Sequence, residues 1–326
     1  MKQDALAIWK SGVAAVNGRD LVRNAIETNE RTFSILHHRF LLENLNQVTV
    51  IGFGKASAAM GLGLEDAFCP VWDRMEWDRL KWKSRIHVPD HQAIHDSKLN
   101  IVGCRPLGKN LPTQRVLDST EKLIRLINET GAQDLIICLI SGGGSALLEL
   151  PDPPLTLDDL RRTTQWLSQS GASIEELNTV RRSISQVKAG RLLSYSSATW
   201  ISLIVSDVIG DPINMIASGP TVPSFDTEDP MAVLEKYDSP KKRIPIGVWQ
   251  KLEKESKAQT QPVAAFNPNV HNHVIGNLEL AMKAAADKAR SLGFEPILIP
   301  PIADEGNVGE VADQIMNLLS QPNVSK

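Results

Sequence analysis

The chain has 326 residues, with 35 Lys plus Arg against 38 Asp plus Glu and a net charge of −3. Near neutrality argues against nucleic acid as the main partner, and no apolar run approaches the ~20 residues of a membrane span. Cys69, Cys104 and Cys138 are far apart with no C-x-x-C, which speaks against structural zinc and for a reducing compartment. The N-terminus, with Lys2, Asp4, Trp9 and Lys10, matches neither a signal nor a transit peptide. These features describe a soluble cytoplasmic protein of roughly two domains.

Leu6, Trp9, Val13 and Val16 recur at helical spacing, and Asn17-Gly18 stops the helix. Asp20 opens a second helix through Ile26. Residues Gln47 to Ile51 read as a strand, followed by Gly52-Phe53-Gly54-Lys55-Ala56-Ser57 and an Ala- and Gly-rich helix to about Phe68. This junction has two readings. One is a dinucleotide-binding turn with Ser57 where the third glycine belongs. The other is a turn that presents Lys55 at a sheet edge, where it is either a solvated charge or a phosphate ligand. Trp72, Trp77 and Trp82 repeat every five residues, which is neither a helix face nor a sheet face, so an insertion packed by its rings is expected. Short strands are expected at Arg85 to Val88 and Asn100 to Val102, and a helix from Gln114 to Thr130.

The central stretch is DLIICLISGGGSALLELP, Asp134 to Pro151. Leu135 to Ile140 is an apolar run of strand length, buried on both faces. Ser141-Gly142-Gly143-Gly144-Ser145 follows, and Ala146 to Leu148 reads as the first turn of a helix. Three glycines delivered to a helix N-terminus form a nest of N–H groups for an anion. Two rival motifs fail. A nucleophile elbow would need glycine at Leu147, and a Walker A loop would need Gly-Lys-Ser/Thr.

Asp158 to Ser170 is a further helix. Ser173 with Glu176 forms a capping box for the next one, which the pattern extends past Val187. Asn178, Arg181, Ser185 and Lys188 make a polar stripe beside its buried face. That stripe is either a wet face or one side of a site. Thr199 to Val205 is a strand, and Asp207 and Asp211 follow it, where open α/β sheets place metal or substrate ligands. Asx-turn chemistry is the plain alternative for Asp211-Pro212. Pro223 to Pro268 is rich in Pro, Lys, Asp and Gln and reads as an interdomain segment. A β-α-β-α tail follows: His271 to Ile275, Leu278 to Leu292, Pro296 to Ile299 and Glu310 to Leu319.

SGGGSALLELP, GASIEELNTVRRSISQVKAGRL, SDVIGDP and IASGPTV, in that order after GFGKA, resemble the glycerate 2-kinases of the two-domain type whose second domain is known as MOFRL. The resemblance runs from about Gly52 to Val222. It implies a doubly wound, Rossmann-like α/β sheet with helices on both faces, plus a partial second α/β domain. Residues 1–245 would be the first domain, and 246–326 a linker and the truncated opening of the second. It also implies transfer of the γ-phosphoryl group of ATP to the 2-hydroxyl of D-glycerate, with Mg2+ or another divalent cation. Homo-oligomerisation stays open.

Residue by residue, the resemblance makes Lys55, Arg181 and Lys188 catalytic. It gives Ser141, Gly142, Gly143, Gly144, Ser145, Ser218, Gly219 and Thr221 to the nucleotide, and Glu176, Asn178 and Arg181 to the substrate. Asp207 and Asp211 would hold the metal. There are departures: Thr113 stands where the animal proteins usually have Asp, and Ala189 replaces the first glycine of Lys-Gly-Gly. The family's second domain continues past the equivalent of Lys326 with a Gly-Arg-Gly-Gly-Arg-Asn-Gln-Glu motif that is absent here. The alternative expectation is therefore a weakly active or inactive nucleotide-binding product of such a gene.

Overall fold

The structure is a computed structural model and describes residues 1–72, 77, 79–108, 111–223, 229–239, 241–257, 269–298 and 308–320. Its centre is a six-stranded sheet of β4 (Gln47–Phe53), β5 (Lys81–Pro89), β6 (Ile101–Arg105), β7 (Leu135–Ser141), β8 (Thr199–Val205) and β9 (Val270–Gly276). Every pairing in it is parallel, and the order is β6-β5-β4-β7-β8-β9. The chain builds one half outward from β4 through β5 to β6, then returns to the centre and builds the other half from β7. This is the doubly wound arrangement, with its topological switch point between β4 and β7.

The expected two-sided burial of the central strands is present. Leu135, Ile137 and Leu139 enter one core and Ile136, Cys138 and Ile140 the other, because alternate residues of a strand face opposite sides. On the first face lie α2 (Gly18–Asn24), α3 (Ser57–Trp72) and a small antiparallel sheet of β1 (Ile26–Thr28), β2 (Thr32–Ile35) and β3 (His38–Leu41). The tryptophans do pack by their rings. Phe68 lies 4.9 Å from Trp82 and 5.7 Å from Trp77 between centroids, and Trp72 lies 5.4 Å from Trp82. Residues 73–76 and 78, between these tryptophans, fall outside the described residues. On the second face α4 (Gln114–Asn128) buries Val116, Leu123, Ile124 and Ile127.

Two readings of the C-terminal third are corrected. The Pro- and Lys-rich segment contains α7 (Pro230–Tyr237) and α8 (Ile246–Lys257). They join α5 (Leu157–Gln169) and α6 (Ile174–Ser183) in a third apolar cluster that buries Leu160, Val180, Leu234, Val248 and Trp249. A few apolar residues at helical spacing outweighed the polar composition. The second correction concerns β9, which the sequence pattern places in the opening of a second domain. It pairs with β8 along its length, and Asn269 O accepts the Trp200 N–H at 2.8 Å. The sheet of the first domain therefore continues past residue 245. The next helix, α9 (Leu278–Ser291), packs on α1 (Lys2–Ala15), where a Cβ on Gly12 would lie 2.9 Å from Ala281 O. Residues 296–298 are not a strand; Ile299 lies outside the described residues. A last helix, α10, spans Val308–Leu319.

Candidate active site

At the switch point the loops after β4 and β7 fold over each other. The Lys55 N–H donates to Gly142 O at 3.0 Å, and the Ala56 N–H donates to Ser141 Oγ at 2.9 Å. Gly54 has φ +140°, and a Cβ there would overlap Ser141. Ser141 is fully buried and its hydroxyl fastens the two loops, so it is not presented to a ligand as expected. The same packing sets Ser141 directly against Gly54 of the Gly52-Phe53-Gly54 turn.

The three glycines serve separate contacts. A Cβ on Gly142 would overlap the Asp207 carboxylate. Gly143 sits at φ +76°, a conformation that favours glycine, and a Cβ there would lie 3.1 Å from Cε of Lys55, whose stem lies across the loop. Gly144 is buried, with the position of a Cβ 2.8 Å from Ala217 Cβ. The chain then makes one 3-10 turn, Gly144–Ala146, and no α-helix follows. The expected helix from Ala146 is corrected: Leu147 and Leu148 are pulled into the second core, and that anchoring ends the turn. Positive charge at the loop therefore comes from side chains rather than from a helix dipole.

Those side chains divide into two sets. A crevice of about 400 Å3 is lined by Gly142, Gly143, Ser145, Asn178, Arg181 and Asp207, with Glu175 and Ile209 at its walls. Arg181 Nη2 donates to Ser145 O at 3.4 Å, while its Nε is buried without a partner among the described residues. Burial works against the guanidinium charge and Glu149 works for it. A buried, unpartnered donor in a polar crevice is costly unless a ligand completes it. Asp207 is exposed at the cradle.

Lys188, expected to be catalytic, lies in the other set, beneath the loop. α6 ends at Ser183, so Ser185 and Lys188 are not on a helical stripe with Asn178 and Arg181. Ser185 instead bridges to Pro151, and its hydroxyl donates to Glu149 Oε1 at 2.6 Å. Lys188 is fully buried, donates to Ser145 O at 3.1 Å and Leu148 O at 3.2 Å, and stands 3.3 Å from Glu149 Oε2. Burial lowers its ammonium to about 8 against the pull of Glu149. It holds the glycine loop from beneath.

Glu176, expected to meet the substrate, has its carboxylate engaged within the fold. Its carboxylate accepts from the Ser173 N–H at 2.8 Å, Lys236 Nζ at 2.6 Å and the Tyr237 hydroxyl at 2.7 Å. Lys236 leads in holding it down at about 2. It caps α6 and ties it to α7, whereas the neighbouring Glu175 lines the crevice. Asp211 accepts from Asn277 Nδ2 at 2.6 Å and does not line the crevice. Thr221 is buried and donates to Asn272 Oδ1 on β9 at 2.7 Å.

Ala217, Ser218 and Gly219 have φ of +53°, +64° and +61°, although only the last is glycine. Such strain costs about 1–3 kcal/mol per residue and collects at functional sites. The Ala189 and Gly190 N–H groups hold this wall by donating to Ser218 O at 3.1 Å and Gly219 O at 2.7 Å. Ser218 Oγ lies 2.8 Å from Ser145 Oγ.

Two supports were missed in the sequence. Glu149 is the buried counter-ion of Lys188; a lone carboxylate within LLELP is the signal that could have found it. His87, on β5, donates from Nδ1 to Leu147 O at 2.9 Å and accepts from Ser119 Oγ at 2.8 Å on Nε2. Burial pushes it down to about 3, so it is neutral. The crevice, with the Lys55 stem lying across Gly143, suits an anion with a hard cation: a glycine backbone cradle, Arg181 beside it, and the Asp207 carboxylate at its lip.

Among known proteins, the family model described as "Domain of unknown function (DUF4147)" matches residues 4–253. The glycerate 2-kinase of Pyrococcus horikoshii is 31% identical over 92% of this chain and 64% of its own. The glycerate kinase of Danio rerio is 34% identical over 91% of this chain and 60% of its own. The crystal structure of glycerate kinase from Thermotoga maritima superposes with a TM-score of 0.69 at 28% identity, covering 90% of this chain and 63% of that one. The chain thus spans less than two thirds of the length of these relatives. With the family model matching most of its residues, the chain belongs to the DUF4147 family and is a relative of the glycerate kinases.

Proposed function

We propose that this chain carries the phosphoryl-transfer site of a glycerate kinase, moving the γ-phosphoryl group of ATP to the 2-hydroxyl of D-glycerate to give 2-phosphoglycerate and ADP. The observation that carries this reading is the unpartnered Arg181 Nε in the same crevice as the Gly142–Gly143 cradle and Asp207. The relatives' names supply the substrate class.

Phosphoryl transfer needs positioning and charge neutralisation more than covalent chemistry. The Gly142 and Gly143 backbone would cradle a phosphate, and Lys55, lying over Gly143, would offset charge on the transferring group. Arg181 with Asn178 would grip the glycerate carboxylate, which a guanidinium recognises by two parallel hydrogen bonds. A divalent cation such as Mg2+, held at Asp207, would supply further neutralisation of the phosphates. Lys188, Glu149 and His87 are positioning residues for the loop. We place the activity in the cytoplasm, a reading supported by three cysteines that are all free.

The test is ADP release followed by a coupled assay with ATP and D-glycerate, with equilibrium ATP binding measured alongside. Glycerate-dependent turnover is expected, and Arg181→Ala should raise KM for glycerate well above any change in KM for ATP. ATP hydrolysis indifferent to glycerate, or an unchanged glycerate KM in the variant, would overturn the reading.

A further inference from the structure

Away from the crevice, four histidines meet where the antiparallel sheet lies against β9. His37 completes the two-residue turn between β2 and β3, and His38 is the first residue of β3. The turn is held with Leu36 at φ +55°, where Asn or Gly would be the unstrained choice. His271 and His273 are two apart on β9, so both side chains leave one face of the strand.

The rings interlock. His38 Nε2 lies 2.9 Å from His273 Nε2. Ring centroids are 4.1 Å apart for His37–His38, 4.3 Å for His38–His271 and 5.2 Å for His37–His273. One ring nitrogen from each of His37, His38 and His273 falls within 4.8 Å of the other two. Among the described residues this is the single group of three or more His, Cys, Asp or Glu side chains that converge in this way.

A pile of imidazoles has no obvious structural use. Two protonated rings at this separation repel, and two neutral rings share at most one N–H···N bond, which leaves the remaining lone pairs directed into the cluster. Tetrahedral zinc at about 2.0–2.1 Å from each nitrogen separates neighbouring ligands by about 3.3 Å. The 2.9 Å pair needs to open by only a few tenths of an ångström to admit the ion. Imidazole without carboxylate selects a borderline transition metal over Mg2+ or Ca2+.

We propose that His37, His38 and His273 form a binding site for a divalent transition-metal ion, with Zn2+ the best fit, and that the ion clips the β2–β3 turn to strand β9. The fourth coordination position is left to water, and His271 packs against His38 to fix its ring. This site is separate from the crevice and does not depend on the function proposed for it. Its consequence is mechanical. β9 is an outer strand of the sheet, and its Asn272 holds Thr221, four residues after Ala217, which lines the crevice. A clip on β9 braces that segment from the far side of the strand.

The experiment uses the full chain without an affinity tag and with Cys69→Ser, because Cys69 is an exposed thiol that would bind zinc itself. Chelator-stripped protein is titrated with Zn2+ in competition with a chromophoric chelator. One equivalent per chain is expected. His37→Ala, at an exposed turn position, should weaken binding by at least the ~10–100-fold that loss of even an outer-layer partner costs a metal site. Co2+ loading gives a second readout that needs no variant: visible d–d bands without a thiolate charge-transfer band are expected. Absence of stoichiometric binding, an affinity unchanged by His37→Ala, or a Co2+ spectrum dominated by thiolate would each overturn the proposal.

Discussion

The rim of the crevice and the layer behind it are built from the same kinds of side chain. On the rim, Asp207 is exposed beside Gly142, the Lys55 stem lies across Gly143, and Arg181 keeps its Nε unpaired among the described residues. Behind it, Lys188 makes two carbonyl hydrogen bonds and an ion pair, and Glu176 accepts from three donors. Arg181 and Lys188 are seven residues apart, yet one faces a ligand space and the other is sealed beneath it. A charge whose hydrogen-bonding capacity is spent inside the fold serves shape; one whose capacity is unspent at a cavity is free to serve chemistry.

That contrast can be broken most forcefully from behind. Lys188→Met should strand Glu149 in the core, and removing one partner of a buried pair costs about 3–5 kcal/mol. Urea denaturation is the measurement, and Lys188→Met combined with Glu149→Leu should recover much of the loss. If the single variant were as stable as the parent, the support role would be wrong.

Lys55→Ala probes the rim in the opposite way. Turnover should fall by about 10²–10³, while the unfolding free energy changes by no more than about 0.5 kcal/mol, as for an exposed site. Melting that collapsed while activity per folded molecule held would move Lys55 into the supporting layer.

Gly142→Ala sharpens the border between the two. The new methyl meets the far end of the Asp207 side chain, which can swing away. Stability should barely change, whereas the concentration of divalent cation needed for half-maximal activity should rise about tenfold, or ~1.4 kcal/mol. An unchanged cation requirement would remove Asp207 from the site.

The smallest effect is expected at Glu176. Its folded carboxyl titrates at about 2 against 4.5 for the free group, so its stabilisation is present above pH 4.5 and is lost as pH falls towards 2. Glu176→Gln should flatten that acid limb in pH-dependent denaturation. The change should be only about 1 kcal/mol, because Lys236 is largely exposed and water screens the pair. An acid limb identical to the parent's would show that the tie between α6 and α7 carries no stability.

The sequence by itself determined what depends on neighbours along the chain. An unbroken apolar run of strand length marked Leu135 to Ile140, Ser173 with Glu176 marked the start of α6, and the glycine run marked the cradle. Those signals are local, since side-chain direction in a strand and capping at a helix end are set within a few residues. The tertiary structure alone decided where α6 stops, because Ser185 leaves the helical path to reach Pro151 and Glu149, 34 and 36 residues earlier in the chain. It also decided that Lys188 is buried while Arg181 lines the crevice, and that β9 returns to the first sheet. Spacing gives the face on which a charge leaves its own element, but burial depends on what distant elements pack over that face. For this chain, that packing separates the residues able to meet a ligand from those that hold them in place.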